Sequence, residues 1–168
     1  HAGRKASCHR IWEQEGQQIP PHQPQGWQTV APSAIAFKAD EHSPHELIHV
    51  EIQDIIQSFA DAAKRAVKAG FDLIEIHAAH GYLLHQFLSP LSNHRSDEYG
   101  GSFDNRIRLT LDVIAAIQQA VPEDFPIGIR LSATDWMQED SWDLASTIEL
   151  CKKLDQYNLA YLHISSGG

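Results

Sequence analysis

The sequence predicts an α/β fold of about three parallel strands interleaved with helices, and three observations carry that reading. Short apolar runs stand at 72–77 (DLIEIH), 126–132 (PIGIRLS) and 160–165 (AYLHIS), with the length and density of strands buried in a parallel sheet. Stretches whose apolar residues recur at helical spacing separate them. Strands alternating with helices of this length pair in parallel through right-handed crossovers.

The elements follow in order. Residues 1–45 are rich in Gln, His and Pro, with PPHQP at 20–24, and keep no period, which reads as a long loop. Trp12, Trp27 and Phe37 are its apolar anchors. Between 45 and 69, Ile48, Ile52, Ile55, Ile56, Phe59, Ala63, Ala66 and Val67 mark an amphipathic helix. Ser43-Pro44-His45-Glu46 has the form of a capping box with proline at the first helical position. DLIEIH (72–77) then reads as a strand buried on both faces. A short helix over 80–88 is stopped by Pro90, and 91–101 is a polar loop. Ser102 caps the next helix, marked by Ile107, Leu111, Ile114 and Ile117 and closed by Pro122. The last helix spans 141–157 with Leu144, Ile148, Cys151 and Leu154 on one face, and the final strand runs into Ser166-Gly167-Gly168.

Composition narrows the function classes. With 168 residues and 42% hydrophobic content the chain can bury a real core. A formal charge of −9 argues against a general basic surface for nucleic acid or an anionic membrane, while leaving room for a local anion pocket. Cys8 and Cys151 stand far apart without metal spacing, which fits reduced thiols in a cytoplasmic protein. A run of about 18 apolar residues, as a membrane span requires, is absent from the sequence.

The first strand ends in His77, followed by His80 and Tyr82. Two imidazoles three residues apart across a strand end can converge on one small acceptor atom. With His85 they also invite a zinc reading, as in a metal-dependent hydrolase, but the spacing fits no H-E-x-x-H pattern and Glu75 is the one obvious carboxylate. No metal site is expected. Arg130, in the middle of PIGIRLS, is costly in a buried strand unless an anion or strong acceptor meets it. Glu75 on a neighbouring strand is one such partner to weigh.

The run 75–106, EIHAAHGYLLHQFLSPLSNHRSDEYGGSFDNR, resembles the signature of the old yellow enzyme family of FMN-dependent ene-reductases, on the branch with a His-x-x-His pair. HAGRKAS (1–7), APSAI (31–35) and PIGIRLSA (126–133) agree in the family's order. The resemblance implies a partial TIM (β/α)8 barrel, whose complete form needs about 250 residues. The 168 residues then form one incomplete barrel segment, with an active-site loop region at 1–45 and alternating helices and strands at 46–168. It also favours a first helix starting near His49, so that boundary stays open.

For chemistry, the resemblance implies FMN reduced by NAD(P)H and hydride delivered through the flavin to the C=C bond of an α,β-unsaturated carbonyl compound. His77 and His80 would hold the carbonyl oxygen, where charge develops, and Tyr82 or water would protonate Cα. Arg130 would meet the N1/C2=O edge of the flavin. Ser166 and Gly167, with Ser165, would approach the flavin or its phosphate tail, and Arg4 would lie near the cofactor. Asn93, Arg95, Asp97, Tyr99, Asn105 and Arg106 would hold the loop after the strand. Two alternatives remain: a 2,4-dienoyl-CoA reductase-like flavoenzyme, with an iron–sulfur cluster in a further C-terminal part, and a non-catalytic fragment that needs the missing barrel strands. The partners expected are an enone or enal, with neither nucleic acid nor membrane; a homo-oligomer is compatible with the sequence.

Overall fold

The computed structural model describes residues 28–37, 42–137 and 140–166. Arg4, Cys8, Trp12, Trp27, the HAGRKAS motif and Gly167 lie outside the described residues. The stretch read as a loop contains β1 (Val30–Ala31), which pairs in parallel with β2 (His45–Glu46). That pairing decides the first helix boundary. His45 N donates to Thr29 O (2.8 Å) and Leu47 N to Ala31 O (3.0 Å), so the residues of the expected capping box are extended. Helix α1 (His49–Lys68) begins after them, with the Glu51 carboxylate reaching back to Ile48 N at 2.9 Å.

The chain then runs β3 (Ile74–Ala78), α2 (Leu83–Leu88), α3 (Phe103–Ala120), β4 (Ile127–Ser132), α4 (Leu144–Leu154), a 3-10 turn (Asp155–Tyr157) and β5 (Tyr161–Ser165). Strands β3, β4 and β5 form one parallel sheet in that order. Ser102 caps α3 by accepting from Asn105 N, as its position in the sequence implies, and Asp143 caps α4 by accepting from Ser146 N at 2.8 Å. Helix α2 is shorter than expected because His80 and Gly81 both take positive φ (59° and 72°), which no helical turn tolerates.

The sheet is two-sided. Ile76, Ala78, Ile129 and Leu131 face the helices and are buried with Phe87, Ile107, Ile114 and Leu150. The opposite parity carries Glu75, His77, Arg130, Tyr161 and His163. Burial of β3 on both faces is therefore not observed: only Ile76 and Ala78 are buried along it, while Glu75 is exposed. A second correction concerns α4, which buries Thr147, Leu150 and Leu154 and leaves Leu144 and Ile148 exposed. The helix has two apolar stripes, and packing on Trp142 and β4 selects the one containing Thr147, whose hydroxyl donates to Ser132 O and Ala133 O.

The 91–101 loop is built from hydrogen bonds. Asn93, buried, donates to Phe87 O and Tyr99 O at 2.7 Å each. Arg95 pairs with Asp97 and donates to Pro32 O (3.0 Å) and Leu47 O (2.6 Å), tying the loop to β1 and the start of α1. Ser33 of the APSAI motif accepts from His94 N at 3.0 Å. Gly100 lies against this turn so closely that a Cβ there would sit 2.4 Å from the Arg95 carbonyl oxygen. Backbone cannot swing aside as a side chain can. Gly100→Ala is therefore expected to lower unfolding free energy by about 1–3 kcal/mol, as overpacking does, read as a shift of the urea midpoint at unchanged slope.

Candidate active site at the carboxyl ends of the strands

Register places the site. Cα partners across the sheet run His77, Arg130, His163 in one row and Glu75, Gly128, Tyr161 in the row below. Gly128 leaves room for the Tyr161 ring, whose nearest atom stands 2.3 Å from where a Cβ would be. On this face Glu75 gathers the charged groups: Arg130 Nε lies 3.0 Å from Oε1 and His163 Nδ1 3.1 Å from Oε2. Arg130 Nε also lies 3.1 Å from His163 Nδ1. Burial pushes the Glu75 carboxyl up, but the hydrogen bond from His163 and the Arg130 charge outweigh it and hold the group below its ordinary value.

Beyond β3 the chain turns through His80 and Gly81 in the left-handed region. Glycine accepts that conformation freely; histidine does so at a cost of order 1–3 kcal/mol. The turn folds the second imidazole back over the first. The His77 and His80 rings lie edge to face with centroids 5.1 Å apart, and the Tyr82 ring lies 4.7 Å from that of His77. His80 is held from β4 and β5: its N–H donates to Ser132 Oγ at 2.8 Å, and its Nε2 lies 2.7 Å from Ser165 Oγ.

His77 is the electrostatic centre. Burial, followed by the nearby His80 and Arg130, lowers its pKa to about 4 against the weaker opposing pull of Glu75. At neutral pH its ring is uncharged and carries one N–H, with no tendency to protonate a ligand. Its Nδ1 is buried and has no hydrogen-bond partner among the described residues. A buried polar atom in that condition calls for a ligand or water.

The structure thus brings together His77, His80 and Tyr82 at one strand end, with Arg130 beside His77 in register. Ser166 follows β5 directly and is exposed, while Ser165 is the residue that meets His80. The Glu75 partner weighed for Arg130 is real, yet the contacts to Glu75 and His163 use Nε, one of a guanidinium's several donor positions. His85 does not join the other two histidines; its Nε2 pairs with Asp135 Oδ1 at 3.0 Å. Among the described residues no group of three His, Cys, Asp or Glu could hold a metal ion. Sequence reasoning missed His163, although it shares with His77 and Arg130 the signal of a polar side chain interrupting an apolar strand.

A parallel sheet covered by helices on one face, with polar groups gathered at the carboxyl ends of its strands, defines a segment of a (β/α)8 barrel. The family follows from comparison with known proteins: residues 1–166 match the model of the NADH:flavin oxidoreductase / NADH oxidase family, and the chain belongs to that family, the old yellow enzymes. An NADH:flavin oxidoreductase of Gibberella zeae is 47% identical over 100% of this chain and 43% of its own length. An NADPH dehydrogenase of Bacillus subtilis is 43% identical over 99% of this chain and 44% of its own. Among solved structures, morphinone reductase in complex with tetrahydroNAD superposes with a TM-score of 0.73 at 36% identity, covering 84% of this chain and 44% of that one. A 2-naphthoyl-CoA reductase bound to 2-naphthoyl-CoA gives 0.78 at 30% identity, over 89% of this chain and 23% of that one. The chain thus spans less than half the length of these relatives.

The lowered pKa has a sign that can be measured. Above about pH 6.5 His77 is neutral folded and unfolded; as pH drops from 6.5 to about 4 only the unfolded chain binds the proton, so stability is lost as pH falls through that window. An NMR titration is expected to give a His77 midpoint near 4, and His77→Gln is expected to flatten the pH dependence of unfolding between 6.5 and 4.

Proposed function

We propose that the protein is an FMN-dependent reductase of activated alkenes, taking electrons from NADH or NADPH and reducing the C=C bond of α,β-unsaturated carbonyl compounds. The observation that carries the reading is the pair of imidazoles at the end of β3, edge to face at 5.1 Å, with His77 Nδ1 buried and without a partner among the described residues. The chemistry of the groups present fits the cofactor. A cationic Arg130 beside an uncharged His77 suits a planar group that gains negative charge on reduction. Arg130, Ser166 and Gly167 are the residues proposed to hold it. When bound, FMN supplies the two-electron chemistry that no side chain can.

The chain's own residues do the rest. His77 and His80 hold the substrate carbonyl oxygen, where negative charge accumulates as the alkene is reduced, and their preorganisation lowers the barrier without reorganisation at the moment of reaction. Because His77 is uncharged at neutral pH, it stabilises that oxygen by hydrogen bonding and not by proton transfer. Tyr82, at the start of α2 with its ring 4.7 Å from that of His77, holds a proton at its phenol oxygen for Cα. Water is the alternative donor.

A second reading has its own support. The naphthoyl-CoA reductase, of which this chain covers 23%, and an NADH oxidase of Thermoanaerobacter brockii, 44% identical and also covered to 23%, carry the same segment inside much longer proteins. A 2,4-dienoyl-CoA reductase-like enzyme with further domains would use these side chains on a thioester carbonyl.

His77→Ala is expected to reduce enone turnover by roughly 10²–10³-fold, the usual loss on removing one donor to a developing oxyanion, and Tyr82→Phe by less. Arg130→Ala is expected to weaken FMN binding measured by quenching of flavin fluorescence. Wild-type protein that binds FMN and consumes NADPH but leaves both 2-cyclohexen-1-one and an enoyl-CoA unreduced would refute the reading.

A further inference from the structure

The His80–Gly81 turn is strained, and the groups that hold it are visible. His80 N–H is taken by Ser132 Oγ and Gly81 N–H by the Nδ1 of His85, each at 2.8 Å. His85 is 5% exposed and sits in the first turns of α2. Its Nδ1 accepts from Gly81 N–H, and its Nε2 lies 3.0 Å from Asp135 Oδ1, within ion-pair distance but outside hydrogen-bond geometry.

Asp135 is fixed in turn by the Ser89 hydroxyl and by Trp142 N at 2.9 Å. Burial pushes its carboxyl up, but the adjacent His85 and the bond from Ser89 outweigh this and keep it below the ordinary range. Trp142 closes the ring of contacts by donating from Nε1 to Ser132 O at 3.2 Å. Thus Ser132 at the end of β4 and His85 on α2, the latter beside Asp135 of the loop after β4, take two successive backbone amides of the turn after β3. Nothing else in the proposed chemistry uses His85 or Asp135, and a buried His–Asp pair is an expensive way merely to fill space.

We propose that His85, oriented by Asp135, is a positioning residue: its Nδ1 locks the Gly81 amide, so that the left-handed His80–Gly81 step persists and the His80 ring stays over His77. The inference rests on the reading of His80 as a holder of the substrate carbonyl oxygen. Asp135 acts one step further out, by selecting the tautomer of His85 that leaves Nδ1 free to accept.

The test compares flavin-loaded wild-type protein with His85→Ala, His85→Asn and Asp135→Asn, with 2-cyclohexen-1-one as substrate. Asparagine places an amide oxygen near the position of Nδ1 and so keeps an acceptor for Gly81. In wild type, ¹⁵N shifts are expected to show His85 protonated on Nε2 alone. His85→Ala is expected to speed exchange of the Gly81 amide by about 100-fold and to lower kcat for enone reduction by roughly 10–100-fold, the scale of a misplacement of about 1 Å, with a smaller change in KM. His85→Asn is expected to recover both to within about 5-fold of wild type. Asp135→Asn is expected to fall between the two.

Unchanged Gly81 exchange in folded His85→Ala overturns the proposal, as does normal kcat despite a freed amide. If His85→Ala does not fold, His85→Asn decides: slow Gly81 exchange with kcat near wild type supports positioning, and slow exchange with kcat reduced 10-fold or more refutes it. Wild-type protein that reduces no enone defeats the functional reading instead, and the exchange rate and the ¹⁵N shifts of the His80 ring across the same variants still judge the clamp.

Discussion

The register of β3 against β4 is the constraint on which the rest depends. Setting His77 opposite Arg130 also sets Ile76 opposite Ile129, so one hydrogen-bond ladder aligns the apolar side chains under the helices and the polar ones on the far face. A slip of β3 by one residue would turn Glu75 and His77 into the core and Ile76 and Ala78 out of it. Burial of Ile129 and Leu131, both fully covered, therefore fixes the position of the polar row without any polar interaction having to specify it. Hydrophobic burial locates the chemistry.

That arrangement makes the inner face electrostatically crowded. Arg130 has Glu75 and His163 around its Nε, and Glu75 takes contacts from both strands beside it. Arg130 and Glu75 keep about a third and a quarter of their side chains exposed, so their pairing offsets only a partial desolvation of the guanidinium. The same positive charge, together with burial, helps to keep His77 unprotonated. One carboxylate thus offsets the arginine without extending its influence far enough to charge the imidazole. An anionic ligand edge at Arg130 would enter a balanced network and not an empty cationic hole, so its affinity depends on how much of Glu75's attraction it must share.

Much of this was legible in the sequence, for physical reasons. The alternation of strands and helices follows from periodicity, and the Ser102 cap from the preference for a hydroxyl at a helix start. The clustering of His77, His80 and Tyr82 was legible because all three lie within six residues of one strand end. Illegible features depend on tertiary choice. α4 offers two apolar stripes, and only its packing on Trp142 and β4 selects Thr147, Leu150 and Leu154 over Leu144 and Ile148. The start of α1 is displaced because residues 45–46 find a strand partner in β1, a competition no local capping rule can see. His163 could have been found by matching the parity of polar side chains along each strand.

The turn after β3 shows why the remaining information is hard to read from sequence. A histidine at φ 59° is disfavoured by itself, and the glycine after it is the sole local sign that the chain departs from helix there. What stabilises the turn comes from 52 residues away at Ser132 and, through His85, from Asp135. Two consecutive amides taken by two side chains leave the backbone little freedom to relax into a regular helical turn, which would carry the His80 ring away from His77. The turn is thus held by Ser132 at the end of β4 and by His85 on α2, neither of them a member of the His77–His80 pair it supports.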